Sequence, residues 1–257
     1  KVPTTPSHPE EGVLDGFAAS GAPMADIETF IHGTTLGLNA LLTRRGARTG
    51  IVTTKGFRDV YLLGRTDRIP MYDFKYRKPA TLVQRQHIVE VDERLDFEGR
   101  VLTPFDEESA AAAARAIRDM GLDAVAVCFL HSYVNPDHEV RMAEILKAEA
   151  PDVVVTISSE LSRQLREYER TSTAVLDSYI KPIVRSYLDK LEGVIAERGV
   201  AGQFLMTRSG GGAMTASSAK EAPVNLILSG PAGGVLGASW FAKAAGYPNL
   251  ITIDMGG

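Results

Sequence analysis

The sequence predicts an α/β protein whose sheet is largely parallel, and two observations lead to that prediction. Short runs of aliphatic and β-branched residues, each of strand length, alternate with segments of helical periodicity through residues 106–155. The run 123–130 is almost continuously apolar, which is typical of a strand covered on both faces of a sheet. Repeated strand-helix-strand units of this kind place their strands parallel.

Composition excludes several classes of protein. The chain has 257 residues, enough for one large domain or two of ordinary size, with 44% hydrophobic and 23% charged residues. A net charge of -4 argues against nucleic-acid binding. No apolar run approaches the roughly 18 residues of a membrane helix, and the polar start lacks a signal peptide, so we expect a cytoplasmic protein. The single cysteine, Cys128, excludes an internal disulfide.

Three helices and two strands are predicted in the first 64 residues. Val13, Leu14 and Phe17 have helical spacing, and Gly21 is a typical helix stop. Basic residues at 44–45 suit the carboxyl end of the second helix. The order is helix 9–20, strand 26–31, a helix through 38–42, strand 50–54 and a helix opening at 55 and ending near 64.

The middle of the chain carries the repeated units. Residues 66–95 are irregular apart from a predicted strand at 88–91, and 98–100 indicates a hairpin turn. Asp106 is the predicted N-cap of the helix that follows it. Pro136 is predicted at the first position of a helix, whose inward face is Val140, Ala143 and Leu146. The later elements are strand 123–130, that helix and strand 153–155.

The last hundred residues begin with a long helical segment, 158–198, that we interpret as a connection between two lobes. Pro182 should kink or divide it. Strand 203–207 and a glycine turn at 209–212 follow. The remaining predicted elements are strand 224–228, glycine turn 229–234, helix 235–245 and strand 250–253.

Two glycine turns in this region predict a phosphate site and a bound nucleotide. Glycines between a strand and a helix let backbone N–H groups approach an anion. A carboxylate at a strand end, followed by paired glycines, can hold a magnesium-phosphate group. The candidates are Gly211, Gly230, Gly233, Gly234, Asp254, Gly256 and Gly257, with Asp254 also the candidate contact to Mg.

Three interpretations of these turns stay open. In a dinucleotide-binding protein, Gly230, Gly233 or Gly234 and Gly237 would form a loose fingerprint and Asp254 would bind a ribose hydroxyl. Alternatively, residues 254–257 are themselves a phosphate loop. Both turns are also compatible with ordinary strand-to-helix connections, and Gly230, Gly233 and Gly234 with close packing.

A second group of candidates follows the strand at 26–31. His32, Thr34 and Thr35 should lie at the rim of the sheet, where His32 is placed to orient or protonate a substrate carbonyl. Asn39 lies on the next helix and either reaches the pocket or faces solvent. His32 is equally compatible with a structural role, and the two threonines with N-capping.

Other polar clusters are weaker candidates. Arg58 with Asp59 suits a surface pair better than a substrate contact, and Arg170 with Glu169 suits an exposed salt bridge better than an anion clamp. The group His131, Asp137 and His138 lacks the spacing of metal ligands.

Motifs spread along the whole chain resemble those of the hydantoinase A/5-oxoprolinase family, and they occur in the family's order. They are HGTT (32–35) with NALL (39–42), VTTKGFRDV (52–60), REYERTST (166–173), SGGG (209–212), SGPAGG (229–234) and IDMGG (253–257). The resemblance implies a two-lobed, actin-like (ribonuclease-H-like) ATPase fold.

Function is also implied by the resemblance. Family members use ATP and Mg to open cyclic amides such as hydantoin, N-methylhydantoin or 5-oxoproline, by phosphorylating the amide oxygen. Related subunits of acetone and acetophenone carboxylases act on ketones. A hydantoinase B-type partner subunit is expected, and assembly with further copies of the chain stays open. Membranes and nucleic acids are not expected partners.

The sequence departs from the family pattern at both ends. An N-terminal Asp-x-Gly-Gly-Thr phosphate loop is absent, and the second loop lacks its threonine after Gly257. We therefore expect a fold incomplete at both ends. Residues 1–157 would form the N-terminal region and 158–257 the start of the hydantoinase A domain. The isolated 257 residues are expected to bind ATP weakly or not at all, which a nucleotide titration reaching micromolar affinity would contradict.

Overall fold

A computed structural model of the chain describes residues 2, 5, 8–23, 26–65, 72–200 and 202–253. It divides into two compact units. Unit 1 comprises Lys1–Arg45 and Ile183–Gly257, and unit 2 comprises Gly46–Pro182. These units are interleaved in sequence, so the predicted division into 1–157 and 158–257 stays a prediction about sequence segments.

The elements of the described residues alternate as predicted through most of the chain. The strands are β1 (Thr29–His32), β2 (Thr49–Thr54), β3 (Ile88–Val91), β4 (Arg94–Leu95), β5 (Val101–Thr103), β6 (Ala124–Cys128), β7 (Val154–Ile157), β8 (Gln203–Thr207) and β9 (Ala213–Thr215). The helices are α1 (Pro9–Ser20), α2 (Leu36–Leu42), α3 (Val60–Leu63), α4 (Glu107–Asp119), α5 (Asp137–Glu149), α6 (Ser158–Leu161), α7 (Glu167–Glu197), α8 (Ala216–Glu221) and α9 (Ser229–Ala244). Short 3-10 turns lie at Arg85–His87 and Pro223–Leu226.

Unit 2 is built on a parallel sheet with strand order β3-β2-β6-β7, which confirms the predicted sheet type. Successive residues of a strand point to opposite faces, so β2 and β6 have core on both sides. Val52, Val125 and Val127 pack with α4 and α5. Ile51 and Ala126 pack with α7 on the other face. Each fully buried Val or Ile contributes about 1.5–3 kcal/mol, so this sheet is the stable centre of the unit.

The helices of unit 2 show one confirmed and one wrong prediction. The side chain of Asp106 accepts a 2.7 Å hydrogen bond from Ser109 N, so it is the predicted N-cap of α4. On α5, Leu146 is fully buried as predicted, but Val140 is exposed and the buried face also includes His138 and Glu139. The hydrophobic pattern did not predict the burial of these two side chains, because hydrogen bonds to polar partners inside the unit offset its cost. Pro136 is the N-cap residue of α5, one position before the predicted one.

Helix α7 contributes to both units and continues through Pro182. The helix is therefore not divided at this proline, and the kink that the sequence also allowed stays a prediction. Proline removes one backbone hydrogen bond. Because Ile180, Val184 and Leu188 on either side of it are fully or almost fully buried, packing offsets that loss.

Unit 1 contains the sheet β1-β8-β9, in which β1 and β8 are parallel and β8 and β9 antiparallel. The strand predicted at 224–228 is wrong. Residues Pro223–Leu226 form a 3-10 turn, and the carbonyl of Asn225 accepts hydrogen bonds from the Ser209 side of the unit rather than from a strand. Residues 250–253 are exposed and form no strand, because the described part of the chain offers them no partner.

The glycine turn predicted at 229–234 is also wrong in form. Helix α9 begins at Ser229, so Gly230, Gly233 and Gly234 lie inside its first two turns. At the other end of the unit, Gly21 ends α1 in the left-handed conformation, as predicted. None of the helices in the described ranges is long and apolar enough to cross a membrane.

Candidate active site

The carboxyl ends of β1 and β8 form the edge at which unit 1 collects its predicted site residues. The two strands run in register from the pair Thr29–Gln203 to the pair His32–Met206. Carboxyl ends of parallel neighbours meet at the same edge, where open α/β sheets bind ligands. The loop 33–35 and the turn 208–212 therefore leave the sheet side by side.

The start of α9 packs against the loop that follows β1. The hydroxyl of Ser229, which is fully buried, donates to Thr34 O at 3.0 Å and accepts from Thr34 N at 3.3 Å. One residue later, a Cβ placed on Gly230 would lie 2.9 Å from Cγ2 of Thr35. The overlapping atom is a side-chain methyl, so a side chain at 230 would require Thr35 to change its rotamer, whereas glycine lets the two segments pack as observed.

The turn after β8 is tied to the same helix start. Ser209 donates from both its N–H and its hydroxyl to Asn225 O, each at 2.7 Å, and its hydroxyl accepts from Leu228 N at 3.0 Å. Gly211 and Gly212 have φ of 87° and 76°, values that side chains rarely adopt. Three predicted stretches, 32–35, 209–212 and 229–234, are thus brought together within one unit.

The polar residues of the β1 loop are held by local hydrogen bonds. Thr34 Oγ1 accepts from Leu36 N at 3.2 Å. Thr35 is the N-cap residue of α2, but its side chain makes no capping bond and instead accepts from Asn39 Nδ2 at 3.4 Å. Thr35 and Asn39 are exposed. Both are therefore open to a ligand at this edge.

His32 is half-buried, and within the described part of the chain its polar contact is between Nε2 and the hydroxyl of Tyr187, at 2.7 Å. Burial lowers the pKa of His32 from 6.5 to about 4, because a charged imidazolium loses hydration there. Burial likewise raises the pKa of Tyr187 to about 12, with the negative charge of Glu10 adding to the effect. At neutral pH both side chains are uncharged, so His32 is a hydrogen-bonding group rather than a proton donor.

This titration predicts how the stability of unit 1 depends on pH. Between pH 6.5 and about 4 the unfolded chain binds a proton at His32 that the folded chain does not. The free energy of unfolding should therefore fall as the pH is lowered through this window. Below the window, His32 should cause no further decrease. For a half-buried group we expect about 1–3 kcal/mol. Urea unfolding of the wild type and His32→Gln from pH 4 to 7 measures this, and parallel pH profiles would contradict it.

Unit 2 places the weaker candidates in ion pairs. Asp59 accepts two hydrogen bonds from Arg85, at 2.7 and 3.0 Å, so Arg58 and Asp59 do not pair with each other. The expected Arg170–Glu169 salt bridge is wrong: Glu169 pairs with Arg65, while Arg170 is buried. His138 Nδ1 lies 2.7 Å from the carboxylate of Glu93. Within the described ranges no group of three or more His, Cys, Asp or Glu side chains could hold a metal.

A buried polar network at the carboxyl edge of the unit 2 sheet escaped the sequence interpretation. Glu139 accepts hydrogen bonds from Phe129 N, Ser158 Oγ and both donors of Ser159, all between 2.6 and 2.9 Å. Arg170 donates to Ser158 Oγ at 3.0 Å and to the carbonyl oxygens of residues 129 and 164. The sequence feature that could have indicated this network is a charged residue at an inward position of each helix, Glu139 on α5 and Arg170 on α7.

Asp254, Gly256 and Gly257 lie outside the described residues, so their predicted contacts to ATP and Mg stay predictions. The remaining phosphate candidates fit an anion at the start of α9. This helix begins without a side-chain cap, and positions 233 and 234 leave room where a Cβ would stand. Uncapped N–H groups at a helix start favour phosphate.

Comparison with protein families settles where the chain belongs. The hydantoinase/oxoprolinase N-terminal region matches residues 1–150, and the hydantoinase/oxoprolinase domain matches residues 170–257. The chain belongs to the hydantoinase/oxoprolinase family. Its matches include the acetophenone carboxylase gamma subunit of Aromatoleum aromaticum, with 34% identity over the whole chain and 38% of that protein. Another is 5-oxoprolinase 1 of Arabidopsis thaliana, with 34% identity over 93% of the chain and 20% of that protein.

A solved structure shows the same fold. The crystal structure of the ATP-dependent caprolactamase from Pseudomonas jessenii matches with a TM-score of 0.85 and 33% identity, over the whole chain and 39% of that protein. This hydantoinase/oxoprolinase chain therefore has an α/β fold of the actin-like, ribonuclease-H-like ATPase type. It spans about two fifths or less of the length of these relatives.

Proposed function

We propose that this chain is part of an ATP-dependent enzyme that opens a cyclic amide, such as a hydantoin or 5-oxoproline. One observation carries the proposal: the loop with His32, the Ser209–Gly212 turn and the start of α9 lie together at the carboxyl edge of β1 and β8. Family relatives that include a 5-oxoprolinase and an ATP-dependent caprolactamase support this substrate class.

Each group at the edge has a proposed task. ATP would supply the phosphoryl group for the amide oxygen, which would make the amide carbon open to attack by water. The N–H groups at the start of α9 and the turn with Gly211 would bind phosphate. Asp254, Gly256 and Gly257 would approach the magnesium-nucleotide from the segment after α9. His32 would donate a hydrogen bond to the substrate oxygen, with Thr34, Thr35 and Asn39 beside it.

A partner subunit is part of the proposal. The relatives from acetophenone carboxylase and caprolactamase are named as subunits, gamma and alpha. We propose a hydantoinase B-type partner that completes the hydrolysis.

A ketone is the second candidate substrate, and a specific match favours it. The acetophenone carboxylase gamma subunit is as similar to the chain as 5-oxoprolinase 1, at 34% identity. A ketone presents one carbonyl oxygen, as an amide does. The ring nitrogen is what distinguishes the two substrates.

The test is phosphate release from ATP by the full-length protein, with its co-purified partner and with hydantoin, N-methylhydantoin, 5-oxoproline or acetophenone. We expect a cyclic amide to stimulate release, and Asp254→Ala to reduce it by about 100-fold or more, because a magnesium-nucleotide contact would be lost. Asp119→Ala, which alters an exposed carboxylate of α4, is the matched control. Stimulation by acetophenone but by no amide would favour the ketone, and no stimulation by any of them would contradict both.

A further inference from the structure

Tyr187 stands out among the groups that the proposed function leaves unassigned. It belongs to the apolar stripe of α7, yet its hydroxyl lies 2.7 Å from Nε2 of His32. The side chain is 6% exposed, so this hydroxyl is withdrawn from water. Their rings also pack, with centroids 5.9 Å apart, and the ring of Phe30 lies 6.0 Å from the imidazole.

The chemistry of the two groups fixes the direction of this hydrogen bond. A neutral imidazole has one N–H donor and one acceptor nitrogen, and a phenol has one proton to donate. The described residues offer the Tyr187 proton no acceptor other than His32 Nε2. If Nε2 were the donor, both the phenolic proton and Nδ1 would lack a partner among the described residues, whereas donation by Tyr187 leaves only the Nδ1–H group without one. Tyr187 therefore donates, and the imidazole proton lies on Nδ1.

The Nδ1–H group is then a donor without a partner. Nδ1 makes no hydrogen bond to any residue in the described ranges. His32 is the last residue of β1, directly before the loop that packs on the start of α9. The residue that carries this donor thus borders the edge where the site residues converge.

We propose that Tyr187 is a positioning residue, which holds His32 as a neutral imidazole whose Nδ1–H donates to the carbonyl oxygen of the bound cyclic amide. This inference rests on the proposed function for the identity of the acceptor. The low pKa of His32 agrees with it, because the imidazole keeps its single proton across the neutral range.

A neutral donor suits an oxygen that must accept a phosphoryl group. A hydrogen bond from an imidazolium is roughly twice as strong as one from a neutral N–H and would withdraw more electron density from that oxygen. The neutral N–H orients one lone pair and leaves the other free to react. Fixing the oxygen within reach of the phosphoryl group is worth more than polarising it.

The first test measures the tautomer of His32 by 15N NMR of histidine-labelled protein, in the wild type and in Tyr187→Phe. The His32 signal is identified by its loss in His32→Gln. In the wild type we expect a protonated Nδ1 and an unprotonated Nε2. In Tyr187→Phe the proton should redistribute towards Nε2. Tyr179→Phe, which removes another hydroxyl from α7, should leave the His32 signal unchanged. A protonated Nε2 in the wild type, or an unchanged tautomer in Tyr187→Phe, would overturn the proposal.

The second test separates positioning from stability. In the full-length enzyme, Tyr187→Phe should lower kcat/KM for the cyclic amide about 5- to 20-fold, the effect of one hydrogen bond, and leave the KM for ATP unchanged. Equal loss of affinity for ATP and the amide would overturn the role in orienting the amide. If the wild type turns over no amide at all, the proposed function fails, while the tautomer experiment still decides whether Tyr187 sets the state of His32.

Discussion

Replacement of Glu139 by alanine is expected to lower the free energy of unfolding of unit 2 by about 3–5 kcal/mol. Glu139 is fully buried and accepts four hydrogen bonds, two from backbone N–H groups and two from serine hydroxyls. Alanine would leave these donors without an acceptor inside the protein. It would also remove a carboxylate from the network of the buried Arg170, whose hydrogen bonds go to one hydroxyl and two carbonyl oxygens.

Native-state hydrogen exchange of the β6 amides would measure this loss, since two units need not unfold in one transition. The matched control is Glu144→Ala on the same helix. Glu144 pairs with Arg141 in an exposed ion pair, so its removal should change stability by about 0.5 kcal/mol or less. Equal effects at the two positions would show that the buried network does not stabilise the unit.

Replacement of Gly202 by alanine should destabilise unit 1 by about 2–4 kcal/mol. A Cβ at this position would lie 2.1 Å from Ile27 O and 2.5 Å from Glu28 O. These are backbone atoms, so no side-chain rotation relieves the overlap. Gln203 N donates to Glu28 O at 2.9 Å, the contact that starts the pairing of β1 with β8. The same substitution should therefore disturb the opposite end of the strands, where His32 lies.

Native-state hydrogen exchange of the β8 amides, which lie in unit 1, measures the loss of stability caused by this substitution. Gly193→Ala is the control. Gly193 lies in α7 with open space around it, so alanine should stabilise the helix by about 0.5–1 kcal/mol. A loss at Gly193 equal to that at Gly202 would contradict a steric origin.

Sequence patterns predicted the fold best where one segment carries its own signal. The strands at 88–91 and 203–207 appear with the predicted bounds because each apolar run has partners in the described sheet. The run 224–228 is also apolar, but the carbonyl oxygen of Asn225 within it accepts hydrogen bonds from Ser209 in another segment. Composition does not reveal such a partner. Likewise, Val140 looked like a core residue until the partners of Glu139 were known.

The sequence predicted individual residues of the candidate site but not the contacts that bring them together. His32 and the glycines of α9 were identified from motifs, but their placement in one unit depends on the pairing of β1 with β8, across about 170 residues of sequence. The contact of Tyr187 with His32 was not predicted, for another reason. A tyrosine in an apolar stripe satisfies the helical pattern whether or not its hydroxyl has a task. The roles of all these residues stay predictions until turnover is measured.

The close approach of Gly230 to Thr35 has a consequence for how this family can vary in evolution. A Cβ at 230 would lie 2.9 Å from Cγ2 of Thr35, so the observed rotamer of a branched side chain at 35 disfavours a side chain at 230. A lineage that acquires alanine at 230 should first, or at the same time, have exchanged Thr35 for serine or glycine. Aligned homologues should therefore show the two positions changing as a pair, although they are distant in sequence.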